Sequence, residues 1–306
     1  MSGLQALLAF TETAKHGGFA AAARELGTAP STLAKAVGRL EASLGLRLFH
    51  RTTRQHSLTA DGERLYLRCQ RVLAELDELQ SEAAGVRAEP RGVLRIDMPI
   101  AYGRRIVLPV VARLLEAHPA LELDARFSDA HVDLVRAGID LAVRVGELAD
   151  SSLVARRIDA QVLLTVASPA YLQRHGVPAE LGALDAHAAI VFRMPGHGRD
   201  LPQRHTVDGR TVTRQPARAH RFNDGDAMVQ AAVQQLGVAQ VPDYMAADEL
   251  TAGRLVEVLH QARPPPTPIH AVMPAQRLMP PRVRALLDAL VALPPRALPD
   301  DAAAPD

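Results

Sequence analysis

Tryptophan is absent from the sequence and aromatic residues make up only 3% of it, which argues against a stacking platform for single-stranded nucleic acid. The single cysteine, Cys69, excludes an intrachain disulfide, argues against a cysteine-based metal site and fits a reducing compartment. No apolar run approaches the roughly 20 residues needed to span a bilayer. The opening MSGLQALLAF lacks a basic run before an apolar core, so it does not read as a signal peptide. The expectation is a soluble, cytoplasmic protein with no membrane partner. There is no P-loop, no GxSxG elbow and no GxGxxG turn after a strand. The scattered His131, His187, His197, His205 and His220 show no metal-ligand spacing. Neither enzymatic activity, nor a metal, nor a cofactor is therefore expected.

What is present is unevenly placed. The net charge is only +1, but residues 1–58 hold seven Lys or Arg against three Glu, while residues 59–92 hold five Arg against seven acids. A basic excess confined to one end is what a nucleic-acid-binding module requires. A chain of 306 residues that is 48% hydrophobic is too long for one ordinary core, so two or three folded units are expected.

Leu4, Leu7, Leu8 and Phe10 recur near helical spacing, and the glycines at 17–18 end that helix. FAAAAREL (19–26) reads as a short helix, followed by a turn at Gly27 and Thr28. PSTLAKAVGRLEASL (30–44) reads as a third, with Pro30 where a missing N–H costs nothing and Leu33, Val37, Leu40 and Leu44 on one face. LRLFHRTTRQHSLT then gives two short β-like runs around a basic tip. Residues 60–88 read as one long helix with an apolar seam at Leu65, Cys69, Val72, Leu76 and Leu79. That seam packs either on its own domain or against the same helix of a second chain. The second reading is preferred, because a linker helix has no other core nearby.

After a break at 88–92 the pattern changes to alternating strands and helices. Strands 93–98, 121–127 and 140–145 alternate with helices 102–117 and 130–137, which implies a parallel sheet with right-handed crossovers. Further strands are expected at 153–158, 162–168, 188–192, near 204–214, 218–222, 237–241, 255–259 and 269–273. Helices are expected near 169–175 and at 224–235, 242–251 and 281–292. The Pro-, Ala- and Asp-rich residues 294–306 read as a disordered tail.

Two helices joined by a tight turn have helix-turn-helix geometry, and the third helix would carry Ser31, Thr32 and Lys35 to base edges in a major groove. Arg51, Thr52 and Arg54 at the tip suit phosphates or a narrow minor groove. The plainer alternative is a small helical domain with a solvated basic face. The stretch GGFAAAARELGTAPSTLAKAVGRLEASLGLRLFHRTTRQHSLTADGERLY resembles the winged helix-turn-helix of LysR-type transcriptional regulators. Phe19, Ala21 to Ala23, Leu26, Arg39, Leu40, Glu41, Gly45, Phe49, Arg51 to Arg54, Leu58, Thr59 and Gly62 stand where that pattern has them. Ala29 and Ala34 stand where Ser is usual, which leaves the DNA sequence open but not the binding mode. The resemblance continues through FSDAHVDLVRAGIDLAVRVGELADSSLVARRI and NDGDAMVQAAVQQLGVAQVP, covering residues 3–292.

The resemblance implies an α+β multidomain chain. Residues 1–59 would form the winged helix-turn-helix, with Pro30, Ser31, Thr32, Lys35, Arg39, Arg51, Thr52 and Arg54 on double-stranded DNA. Residues 60–89 would be the dimerisation helix. Residues 90–293 would form an effector domain like periplasmic solute-binding proteins, one subdomain from 93–162 and 269–293 and the other from 163–268. A homodimer is implied, with dimers expected to pair into a homotetramer. Ligands of open α/β sheets sit beyond the carboxyl ends of strands. Backbone N–H groups of Ile100, Ala101, Tyr102 and Gly103 are therefore candidates for an effector, with a carboxylate as one candidate group. Arg144, Gly146, Asn223, Asp224 and Pro242 are candidates beside them. Each has a plainer reading: Asn223 or Asp224 as a helix cap, Arg144 as the partner of Asp129 or Glu147, and Gly103 and Gly146 as relief of steric crowding.

Overall fold

The computed structural model describes residues 3–50, 57–83, 89–130, 132–148, 153–195, 198–275 and 279–296. The chain divides into two compact units, Met1–Ala88 and Glu89–Asp306.

The first unit holds helices α1 (Gly3–Lys15), α2 (Phe19–Glu25), α3 (Pro30–Leu44) and α4 (Ala60–Ala83). Their core is Phe10, Ala22, Ala23, Leu33, Ala36, Val37, Leu40, Leu48 and Phe49. Phe10 and Phe49 meet edge to face at 5.6 Å, and Tyr66 and Phe19 extend this aromatic group on either side. Leu44, expected on the buried face of α3, is instead exposed, because the helix ends there at Gly45 in the left-handed region (φ 66°). Leu4 and Leu8 are likewise exposed.

The sequence pattern between α3 and α4 has a local cause. The Glu41 carboxylate accepts the backbone N–H of Leu48 at 2.7 Å, tying α3 to the strand that follows. His50 N–H donates to Ser57 O at 2.9 Å and Thr59 N–H to Leu48 O at 3.0 Å, closing a two-stranded wing base at Phe49 and Leu58. The Thr59 hydroxyl caps α4 by accepting Gly62 N–H at 3.0 Å. A Cβ at Gly62 would sit 2.1 Å from the Leu48 carbonyl oxygen, so only glycine lets α4 start this close to the wing. The start of α4 also corrects the premise of the dimer reading. Cys69 is buried in the core of its own unit, and Leu65 and Tyr66 pack against it. Val72 is 46% exposed, Leu76 is half-buried, and the side chain of Leu79 lies outside the described residues.

The second unit has two sheets. The first has strand order β2-β1-β3-β12-β4, from β1 (Gly92–Met98), β2 (Leu121–Phe127), β3 (Leu141–Val145), β4 (Leu153–Gln161) and β12 (Thr267–Pro274). Its β1 runs parallel to β2 and β3, while β12 returns antiparallel between β3 and β4. The second sheet has the order β11-β5-β10-β6-β9, from β5 (Leu163–Ala167), β6 (Ala189–Phe192), β9 (Ala219–Phe222), β10 (Val238–Pro242) and β11 (Val256–Glu257). One residue, Val162, separates β4 from β5, so the chain passes between sheets almost without a linker. The region read as strand near 204–214 is a hairpin of β7 (Gln203–Val207) and β8 (Arg210–Arg214). Positive φ at Asp208 and Gly209 makes its tight turn.

Helices α5 (Ile100–Tyr102), α6 (Leu108–Ala117), α7 (Leu134–Ala137) and α11 (Pro281–Val291) accompany the first sheet, and α8 (Pro169–His175), α9 (Gly225–Val233) and α10 (Asp243–Thr251) the second. The helix expected at 130–137 shrinks to α7, which Asp133 caps through Arg136 N–H. The strand expected at 255–259 shrinks to β11, because Leu259 turns the chain in the left-handed region. Residues 294–296, expected in a disordered tail, are ordered, with Arg296 paired to Asp159 and Asp243. No helix among the described residues is long and apolar enough to cross a membrane.

Two stability predictions follow from this packing. Gly62→Ala should destabilise the first unit by about 2 kcal/mol, read in urea unfolding, through overpacking against Leu48. His205 on β7 is fully buried, with neither ring nitrogen partnered among the described residues. Burial, aided by the nearby Arg214 charge, pushes its pKa down to about 4. The unfolded chain binds that proton near pH 6.5, so the stability is present above pH 6.5 and is lost as pH falls toward 4. His205→Gln should flatten this acid-side slope of unfolding free energy, removing about 3 kcal/mol of pH dependence.

Candidate functional site

Helix α3 has two faces. Leu33, Ala36, Val37 and Leu40 are buried, while Pro30, Ser31, Thr32, Lys35 and Arg39 are exposed. The inward residues anchor the helix, so the outward ones form a fixed polar surface. Ala29 occupies the N-cap and gives no side-chain cap, as its methyl group dictates. The base of the wing follows this helix in the same core; Arg51, Thr52 and Arg54 lie outside the described residues.

In the second unit a cavity of about 340 Å³ opens between the two sheets. It is lined by Ile100, Ala101, Arg144, Gly146, Asp224 and Pro242 from the predicted set. The predicted Tyr102 and Gly103 do not line it. Tyr102 is fully buried in the core, with its hydroxyl donating to Asp159 Oδ2 at 2.9 Å. A Cβ on Gly103 would meet Met98 Cγ at 2.4 Å, so this glycine serves close packing. Asn223 is also absent from the lining; Asp224 is the cap of α9, accepting Ala227 N–H at 2.8 Å.

The expected anion site on the first turn has an occupant of its own. Ile100 N–H donates to Asp129 Oδ1 at 3.2 Å, and Gly103 N–H to the Pro99 carbonyl at 2.8 Å. Burial raises the pKa of Asp129, and the neighbouring Asp224 charge adds to this. Two carboxyl groups, Asp129 and Asp224, therefore stand at this part of the wall, and one of them already takes the Ile100 N–H. Arg144 pairs with neither Asp129 nor Glu147 but with the wholly buried Asp97, Nη1 to Oδ1 at 2.6 Å. The negative charge of Asp97 beside the cleft wall is thereby offset. Arg144 Nη2 has no partner among the described residues.

Sequence reasoning missed a further wall, to which the hairpin contributes Arg204. Arg204, Leu201, Met194, Phe192, Gln240 and Thr267 all line the cavity. Arg204 N–H donates to Gln240 Oε1 at 2.8 Å, Gln240 Nε2 donates back to Arg204 O at 2.6 Å, and Arg204 Nη1 lies 3.4 Å from the Thr267 hydroxyl. No carboxylate pairs with Arg204 among the described residues. No periodicity in the sequence could mark it, because its place comes from a hairpin folding back onto β10. Elsewhere on the cleft, Arg105 reaches Asp226 of α9 at 2.8 Å, joining the helical segment after β1 to the second sheet's helices.

A winged helix-turn-helix followed by a two-sheet α/β unit with a ligand-sized cleft defines a DNA-binding regulator with an effector domain. Comparisons with known proteins agree. Residues 4–63 match the bacterial regulatory helix-turn-helix protein, lysR family, and residues 87–294 match the LysR substrate binding domain. The chain belongs to the LysR-type transcriptional regulator family. It is 36% identical over 290 residues to the transcriptional regulator PtxR of Pseudomonas aeruginosa, covering 94% of this chain and 91% of that one. It is 33% identical over 256 residues to DmlR of Escherichia coli K12, covering 84% and 83%. Among solved structures, CrgA of Neisseria meningitidis matches with a TM-score of 0.59 at 30% identity, covering 94% of this chain and 97% of that one.

The buried pair at the cleft wall is testable by its asymmetry. Arg144→Met should cost about 3–5 kcal/mol in equilibrium unfolding, because it strands Asp97 without a counter-charge. Arg144→Met combined with Asp97→Leu should recover most of that loss.

Proposed function

We propose that the protein is a sequence-specific transcriptional regulator that acts as a homodimer, with dimers pairing into a tetramer, in the cytoplasm. The observation that carries the reading is α3, which buries one face in a fixed core and turns Ser31, Thr32, Lys35 and Arg39 outward. Side chains at the start of such a helix reach base edges in a major groove, and the wing residues Arg51, Thr52 and Arg54 reach the backbone beside it. The exposed Val72 on α4 supports pairing of two chains along the second half of that helix, beyond the part that Leu65 and Cys69 commit to their own core. Leu76 and Leu79 continue that surface in this reading, and two recognition helices then meet half-sites about one DNA turn apart.

The effector occupies the cleft between the sheets. The cavity volume suits a small molecule, and Ile100, Phe192, Met194, Leu201 and Val241 give it an apolar body. An acidic group on that molecule goes to Arg204, away from Asp129 and Asp224. Ligand that favours one arrangement of the two sheets shifts the population toward it, and so alters how the DNA-binding units sit on a promoter.

The reading is tested by mapping the protein's binding sites across the genome of its source and measuring affinity for the recovered operator. Lys35→Ala and Arg39→Ala should each weaken operator binding by roughly tenfold, within the 1–3 kcal/mol of a base-edge contact. Unchanged affinity in both would overturn the assignment of α3. A panel of small carboxylic acids should raise the melting temperature of the parent protein by mass action and leave Arg204→Gln unmoved. Equal shifts in both would remove Arg204 from the site.

A further inference from the structure

Behind the hinge lies a second polar site, which borders the cleft at Tyr244. Arg296 stands two residues beyond the region that matches the LysR substrate binding domain. It nevertheless reaches into the fold. Its Nη1 donates to Asp159 Oδ2 on β4, and its Nε donates to Asp243 Oδ2 at the start of α10, at 3.0 Å. Its Nη2 donates to the Ala160 carbonyl at 2.6 Å and lies 3.5 Å from Asp243 Oδ1. The guanidinium carbon sits 5.9 Å from the Tyr102 ring centroid and 5.3 Å from that of Tyr244. The two rings meet edge to face at 5.3 Å. Two carboxylates, a carbonyl and two aromatic faces around one planar cation are the components that hydrogen-bonding and cation–π recognition of guanidinium require.

The site is built independently of its occupant. Tyr102 OH donates to Asp159 Oδ2 at 2.9 Å, and Tyr244 OH donates to Gln161 Oε1 at 3.0 Å, which fixes both rings. Asp243 is more than nine-tenths buried and grips the hinge residue: Val162 N–H donates to its Oδ1 at 2.9 Å, and its own N–H donates to Val162 O at 2.8 Å. One oxygen of Asp243 therefore holds the chain where it crosses between sheets, and the other is neutralised by Arg296. Gln161 and Tyr244 also line the ligand cleft, so the cage and the cleft share walls.

We propose that Tyr102, Asp159, Ala160, Asp243 and Tyr244 form a guanidinium-binding site, that the chain's own Arg296 fills it, and that this contact braces the Val162 hinge. Removal of Arg296 leaves Asp159 and Asp243 facing each other's negative charge without a cation. The crossing strand then loses its fixed partner. The inference stands whatever molecule the cleft binds.

The test uses the full chain. Arg296→Ala, Arg296→Lys and Arg296→Ala with Asp159→Asn are compared with the parent by thermal unfolding and by hydrogen exchange of peptides spanning Val162 and Asp243. Measurements are made in millimolar methylguanidinium chloride and in sodium chloride of equal ionic strength. Arg296→Ala should melt about 5 °C lower and exchange roughly tenfold faster at the hinge. Methylguanidinium should restore it saturably, while leaving the parent and the double variant unmoved. Arg296→Lys should fall between parent and Ala variant, since an ammonium keeps the charge but not the planar fork. Parent-like melting and exchange in Arg296→Ala would overturn the proposal, as would equal effects of methylguanidinium on the Ala and double variants. If Arg296→Ala does not fold, Arg296→Lys decides: partial loss supports the cage, and parent-like behaviour refutes it.

Discussion

The chain first crosses between the two sheets of the second unit over a single residue, and much of the chemistry at that crossing follows from how Val162 is held. Both backbone groups of this residue are hydrogen-bonded to Asp243, one to its carboxylate and one to its own N–H. A buried carboxylate in that position is costly unless a cation meets it, and Arg296 supplies one. Desolvation raises the pKa of Asp243, opposed by the N–H donors around it. The same aromatic pair that receives Arg296 continues, through Tyr244 and Gln161, into the wall of the cleft. Hinge, cation and cavity are thus neighbours in one polar array embedded in apolar packing.

The cleft divides its charge in a way that limits what can enter. Asp129 and Asp224 sit near the first turn, and the Asp129 carboxylate already accepts the Ile100 N–H that would otherwise serve a ligand. Arg144 is largely spent on Asp97. Among the described residues, Arg204 has a hydroxyl and its backbone bonds to Gln240 around it, and no carboxylate. A ligand with an acidic end and an apolar body fits this distribution better than one presenting its acid to the first turn.

In the first unit the constraint is proximity. Glu41, Leu48, Thr59 and Gly62 draw α3, the wing base and α4 together through short backbone bonds. The motif residues therefore include some that never point toward DNA. Glu41 and Gly62 hold the reading helix in place, which is why a pattern recognised for DNA binding contains an acid and a glycine at those positions.

Helical periodicity exposed α1 to α4 in the sequence, and alternation of strand and helix exposed the parallel β2-β1-β3 core, because both signals are local and repeat within a few residues. The outward face of α3 was legible for the same reason: once Leu33, Val37 and Leu40 are assigned inward, Ser31, Thr32, Lys35 and Arg39 must point out. Tyr102 and Gly103 were misplaced because a turn after a strand looks the same whether it faces a cleft or a core; packing against Met98 and Asp159 decides it. Cys69 could not be assigned to one core or another by spacing alone. Arg204, the Asp97–Arg144 pair and the cage around Arg296 join residues 36 to 194 positions apart. Sequence alone determined which segments form elements and which faces they bury. Only the tertiary structure decided which charges meet, since a contact between distant residues depends on how the sheets stack and leaves no periodic trace in the chain.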